Sequence, residues 1–161
     1  MSEHPVARFG SGAARTAPRP AVAAVATASV GAAAIHFAVV PEHLEEWWAF
    51  GLFFLVAGVL QLAWAAMVAR SASRLVIGLG VLGNAAIVVL WIVTRTVGTL
   101  LGPEPHVPEP VALTDAAATT LELVIVVAGA ALWHEERERR DSNPRFTPGI
   151  VLRRTGRPRV G

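Results

Sequence analysis

Four long apolar segments constrain this chain more than any other feature of its sequence. They cover residues 21–40, 47–69, 75–101 and 115–134, and polar corners separate them. Each segment is about as long as the ~20 residues that a helix needs to cross a ~30 Å hydrocarbon core. Since a backbone inside a bilayer must satisfy its own hydrogen bonds, helices are the expected form. The pattern predicts an all-α membrane protein, an antiparallel up-down bundle of four transmembrane helices.

Composition excludes several classes of protein. Hydrophobic residues make up 53% of the chain and charged residues 16%, which is too apolar for an ordinary soluble domain of this length. The absence of Cys excludes disulfides, thiolate metal sites and cysteine nucleophiles. A cleaved signal peptide is an alternative reading of the first apolar segment. Because that segment is long and leads directly into a second one, a membrane anchor is favoured.

The two ends of the chain contain Arg, Gly and Pro with little apolar material to bury. Residues 1–20 are therefore predicted to form a disordered basic arm, and residues 141–161 a flexible basic tail. An Arg near an anionic bilayer surface gains ~1 kcal/mol. The tail is thus predicted to contact anionic lipids of the bilayer, and nucleic acid is not an expected partner.

The distribution of Arg predicts the orientation of the chain. Every Arg except Arg95 lies in the N-terminal arm, in the corner at 70–74 or after the fourth apolar segment. The corners at 41–46 and 102–114 contain Glu and no Arg. The positive-inside rule therefore predicts a multi-pass protein of the cell (plasma) membrane with both termini on the cytoplasmic side.

Three ionisable residues within the apolar segments are candidates for a functional cluster. At about 1.5 Å per residue, Arg95 would lie roughly 9 Å below the outer end of the third segment, and Glu122 roughly 10 Å below the start of the fourth. His36 lies about one turn below the outer end of the first segment. Since an unpaired charge in a bilayer costs several kcal/mol, we expect an Arg95–Glu122 ion pair with His36 hydrogen-bonded to it.

Further polar residues extend this cluster. Asp115 lies seven residues before Glu122 on one stripe of the fourth segment, and Asn84 shares a stripe with Arg95 on the third. With Gln61, they suggest an internal polar track. Three interpretations remain open. In the first, the polar residues only hold the helices in register. In the second, they line a pocket for a small ligand, ion or proton. In the third, Arg95 simply extends to the lipid headgroups.

A metal site is an alternative interpretation of the histidines. His36, His43, Glu46 and His106 supply donors suited to a divalent metal such as Zn, Cu(II) or Fe, as in a metal-binding protein or metal-dependent membrane enzyme. Their spacing forms no compact metal motif. A bis-histidine haem is not expected, because His36 is embedded whereas His134 lies at the opposite surface.

A literal G-x-G-x-x-G pattern occurs at Gly78, Gly80 and Gly83. It lies inside an apolar segment and not in a strand-to-helix turn, so it predicts no nucleotide site. Close packing between helices is the expected role of these small residues.

A resemblance rests on three stretches: His36 to Trp47, the run from Trp91 through Arg95 to Gly98, and Gly102-Pro-Glu104 leading to Asp115. They resemble a group of uncharacterised small four-span integral membrane proteins of high-GC actinobacteria, over about residues 30–125. The resemblance implies a four-span membrane protein and no particular activity.

The sequence favours a non-enzymatic binding, transport or sensing protein, with a homo-oligomer expected because one four-helix chain leaves little room for a pathway. A structural or assembly subunit of a membrane complex is the remaining alternative.

Overall fold

The described part of the chain is helical. A computed structural model describes residues 20–142, so the predicted N-terminal arm and nearly all of the predicted tail lie outside the described residues. Within that range there are four helices and no strand: α1 (Pro20–Glu46), α2 (Trp48–Arg70), α3 (Arg74–Thr96) and α4 (Leu113–Asp141). All four are long and apolar enough to cross a membrane. The prediction of an all-α chain with four candidate spans is confirmed.

Helix α1 makes the most extensive contacts, packing against both α2 and α4, while α3 packs mainly against α4 and touches α2 little. The apolar core lies where the start of α1 meets the ends of α2 and α4 and the start of α3. Its buried members are Val22, Val25, Ala28, Trp64, Val68, Ile77, Ile125 and Leu132. Large apolar side chains also cover the outside of the helices, with Leu60 63% and Leu82 70% exposed. Such extensive exposed apolar surface is typical of lipid-facing helices.

Helix α1 extends beyond its predicted end at Val40. It continues through Pro41 to Glu46. A proline inside a helix removes one backbone donor, and this position is close enough to the helix end for the remaining turn to persist. The polar corner between the first two spans is correspondingly short, because α2 begins at Trp48.

Helix α3 ends at Thr96 and not at the predicted Leu101. Gly98 has a φ of +78°, a left-handed conformation that stops helices and that glycine adopts without a steric penalty. Arg95 consequently lies in the last turn of α3. The predicted depth of this residue is therefore wrong.

One glycine of the G-x-G-x-x-G pattern packs closely against another helix. Gly80 of α3 lies against the indole ring of Trp64 in α2, and a Cβ at this position would overlap the ring. The ring has little freedom to move, because Trp64 is buried and its Nε1–H donates to the Val76 carbonyl at 2.6 Å. At Gly83, no atom of the described residues lies within 4 Å of an added Cβ.

We expect Gly80→Ala to lower the free energy of unfolding by about 1–3 kcal/mol, the usual cost of overpacking. Gly83→Ala is the matched control and should leave stability unchanged or raise it slightly, since Ala favours helix more than Gly. Thermal unfolding in detergent micelles measures both. Equal melting temperatures for the two variants would contradict the close α2–α3 packing.

Candidate functional site

A chain of buried polar side chains, the interior polar network, links all four helices. Its members are His36 of α1, Gln61 of α2, Asn84 of α3 and Glu122 of α4. His36 Nε2 lies 3.0 Å from Glu122 Oε1, and these residues are 3% and 1% exposed. Gln61 Nε2 donates to the same carboxylate oxygen at 3.4 Å and to Asn84 Oδ1 at 3.2 Å. The structure thus brings together four of the six residues predicted for the polar cluster.

Burial explains why these side chains converge. A polar group removed from water costs free energy unless it finds a hydrogen-bond partner, and a charged group costs more. The Glu122 carboxylate forms hydrogen bonds with His36 and Gln61, while Asn84 Nδ2 donates to the Gly80 carbonyl at 2.8 Å. Ser29 links α1 directly to α2, because its hydroxyl donates a hydrogen bond to the Gln61 carbonyl at 2.9 Å. The network therefore holds the helices in one register.

Arg95 does not pair with Glu122, which corrects the predicted ion pair. Its guanidinium donates through Nη2 to Asp115 Oδ2 and through Nη1 to Glu109 Oε2. Because α3 ends at Thr96, Arg95 lies level with the first turn of α4, where Asp115 is. Glu122 is seven residues further along that helix, roughly 10 Å deeper. We call Arg95, Glu109 and Asp115 the rim triad.

The loop at 97–112 brings Glu109 into the rim triad. It folds back on α3, with Glu109 N–H donating to the Thr94 carbonyl at 3.1 Å and His106 N–H to the Thr99 carbonyl at 2.8 Å. A Cβ on Gly98 would approach the backbone of Val107 to 2.6 Å. The loop therefore requires glycine at position 98, both for its backbone angles and for this close approach.

Between the interior polar network and the rim triad lies a cavity of about 250 Å³. His36 and Glu122 line one part of it, and the rim triad lines another. Five aromatic side chains also line the cavity, and we call them the aromatic wall: Trp47, Phe50, Phe53, Phe54 and Trp91. Adjacent rings pack edge to face, with centroids 5.0 Å apart for Trp47–Phe50 and 5.3 Å for Phe53–Phe54. A mainly apolar cavity with a few converging polar groups is typical of small-molecule sites.

The residues proposed for a metal site do not form one cluster. His36 is paired with Glu122, and His43 donates through Nδ1 to the Val39 carbonyl at 2.8 Å. Glu46 and His106 are exposed, at the end of α1 and in the loop. Within residues 20–142, no three or more His, Asp or Glu side chains are arranged to hold a metal ion.

Sequence reasoning missed the aromatic wall and the role of Glu109. The signal for the wall was present, because Trp47, Phe50 and Phe54 are spaced i, i+3 and i+7 and so would share one face of a helix over the second apolar segment. Glu109 gave no such signal, since its position depends on how the loop folds after Gly98.

Comparison with known proteins adds no functional assignment: no family model, curated protein or solved structure matches this chain. The resemblance to four-span actinobacterial proteins therefore stays a prediction.

Proposed function

We propose that this chain is a multi-pass protein of the cell membrane, without enzymatic activity, that binds a small ligand in its cavity. The observation that carries the proposal is the cavity itself, about 250 Å³ of space beside a buried His36–Glu122 pair. Protein interiors are normally close-packed, and voids reduce stability. A pair that served only to register helices would need no such space next to it.

The proposal includes an orientation. Both termini lie in the cytoplasm, the four helices run antiparallel, and the cavity opens on the outer side. The distribution of Arg supports this orientation through the positive-inside rule. The shared core of the start of α1 with the ends of α2 and α4 supports the antiparallel order. Lipid contacts of the basic tail and a homo-oligomer remain predictions from the sequence.

Single cysteines test this proposal cleanly, because the native chain has none. Thr119 lines the cavity and is 7% exposed, so Thr119→Cys reports access to it. His106→Cys measures the reactivity of the exposed loop, and Ser142→Cys that of the opposite end of α4. Ala33→Cys is the control for a fully buried position outside the cavity. Each variant is treated with a membrane-impermeant thiol reagent in intact cells and in permeabilised cells.

We expect Thr119→Cys and His106→Cys to react in intact cells, with Thr119→Cys slower because it is recessed. Ser142→Cys should react only after permeabilisation, and Ala33→Cys in neither case. Reaction of Ser142→Cys in intact cells, with Thr119→Cys and His106→Cys reacting only after permeabilisation, would reverse the orientation. A Thr119→Cys that stays unreactive wherever His106→Cys reacts would mean that the cavity is closed to the outside, and would overturn the proposed site.

A further inference from the structure

We infer that the ligand of this cavity is a small lipophilic cation, such as an alkylated ammonium ion carrying an apolar body. This inference rests on the proposed ligand-binding function and adds the chemical class of the ligand. Two observations carry it: the sum of the charges that line the cavity, and the aromatic wall.

The lining charges sum to a negative value. In the rim triad, one guanidinium faces two carboxylates, so +1 from Arg95 and −2 from Glu109 and Asp115 leave −1. The other titratable lining residues are His36, His43 and Glu122. With the histidines counted as neutral, Glu122 adds a further −1, and a proton on its partner His36 would cancel that charge alone. Asp115 and Arg95 are largely shielded from water, being 16% and 13% exposed, whereas Glu109 is 36% exposed at the rim. Low dielectric strengthens the attraction of this surplus for a cation.

The aromatic wall favours the same class of ligand. Ring faces carry negative electrostatic potential and attract ammonium groups within about 6 Å, and aromatic cages are a recurrent site for quaternary ammonium ligands. The Arg95 guanidinium already lies 5.9 Å from the Trp91 ring centroid, so a cation is accommodated beside this wall. The rings also bury an apolar body without requiring hydrogen bonds from it.

Two donors point to the competing class, an anion. Trp91 Nε1 and Arg95 Nε are buried and have no hydrogen-bond partner within the described chain. They would suit an acceptor atom on a ligand. An anion brought to them would also meet Glu109 and Asp115, whose carboxylates already outnumber the guanidinium. The charge sum therefore favours a cation, which can carry a neutral acceptor such as an ether or hydroxyl oxygen.

Three probes of similar shape separate the classes: benzyltrimethylammonium as the cation, 2-methyl-1-phenyl-2-propanol as the neutral analogue, and phenylmethanesulfonate as the anion. Binding is measured by calorimetry on the purified full chain in detergent, and independently by protection of Thr119→Cys from thiol modification. We expect the cation to bind at least about tenfold more tightly than the neutral analogue, as ~1.4 kcal/mol of charge attraction gives. The anion should bind most weakly.

Glu109→Gln removes the surplus charge and keeps an acceptor for Arg95. It should weaken cation binding about tenfold and leave binding of the neutral analogue unchanged, which also verifies that the variant is folded. Glu104→Gln is the matched control, an exposed carboxylate on the same loop that does not line the cavity. It should bind all probes as the native chain does. Asp115→Asn provides a second test if Glu109→Gln does not accumulate.

The outcomes separate the two proposals. Equal binding of the cation and the neutral analogue, or preference for the anion, would overturn the cationic ligand and leave the ligand-binding cavity standing. If Glu109→Gln and Glu104→Gln weaken cation binding equally, the cationic ligand is also overturned, since the charge of the rim triad would then not be the cause of the affinity for the cation. If no probe binds or protects Thr119→Cys, both proposals fail.

Discussion

Glu122→Ala is expected to lower the free energy of unfolding by about 2–6 kcal/mol, because each buried polar group left without its partner costs about 1–3 kcal/mol and this change affects two of them. The carboxylate is 1% exposed and receives both His36 and Gln61, so its removal leaves two buried polar side chains without their shared acceptor. Equilibrium unfolding of the purified protein in mixed detergent micelles measures this loss. Glu138→Ala, an exposed carboxylate on the same helix, should stay within about 0.5 kcal/mol of the native chain.

A double variant then separates stability from function. Replacing both partners of a buried hydrogen bond by apolar groups of similar shape can be nearly neutral or stabilising, so His36→Phe with Glu122→Leu should recover most of the loss. The recovered protein should still bind the cationic probe less well, because its cavity has lost a polar lining group. If Glu122→Ala is as stable as Glu138→Ala, the His36–Glu122 pair does not hold the helices together.

Arg95→Ala is the second variant with a large expected effect. It leaves Glu109 and Asp115 facing each other without the guanidinium that separates them. We expect a loss of about 2 kcal/mol, at the low end for a truncated charge pair because Glu109 is 36% exposed and partly solvated. Since Glu109 fastens the loop at 97–112, that loop should also open more often, and its amide hydrogens should exchange faster.

Thermal unfolding and hydrogen exchange measured by mass spectrometry test both parts of this expectation. Arg70→Ala is the control, because within residues 20–142 the exposed Arg70 guanidinium bonds only to the Ala66 carbonyl of its own helix. Adding Glu109→Gln to Arg95→Ala should restore part of the stability by removing the repulsion between carboxylates. A loop that exchanges at the native rate in Arg95→Ala would show that the rim triad does not fasten it.

The helices were predictable because bilayer thickness and hydropathy determine their number and approximate length. The interior polar network was partly predictable for a related reason: His36, Gln61, Asn84 and Glu122 lie within apolar segments, and buried polar groups must find each other. Distance along each segment was sufficient to place His36 and Glu122 at a similar depth.

The partner of Arg95 was not predictable from the same arithmetic. The apolar run continues to Leu101, whereas the helix stops at Thr96 because of the backbone conformation at Gly98. An error of five residues shifts Arg95 by roughly 7 Å along the helix axis, enough to exchange one carboxylate partner for another. Hydropathy reports the polarity of a segment and not the backbone angles at its end.

The distribution of the interior polar network over four helices also bears on how the protein is made. His36 and Gln61 are synthesised first, and the acceptor that they share, Glu122, arrives with α4. Helices that insert one at a time associate afterwards inside the bilayer. In the membrane protein that we propose, the first two helices would therefore hold polar groups whose shared partner has not yet emerged from the ribosome. The last helix would then complete the interior polar network and, with it, the assembly of the chain.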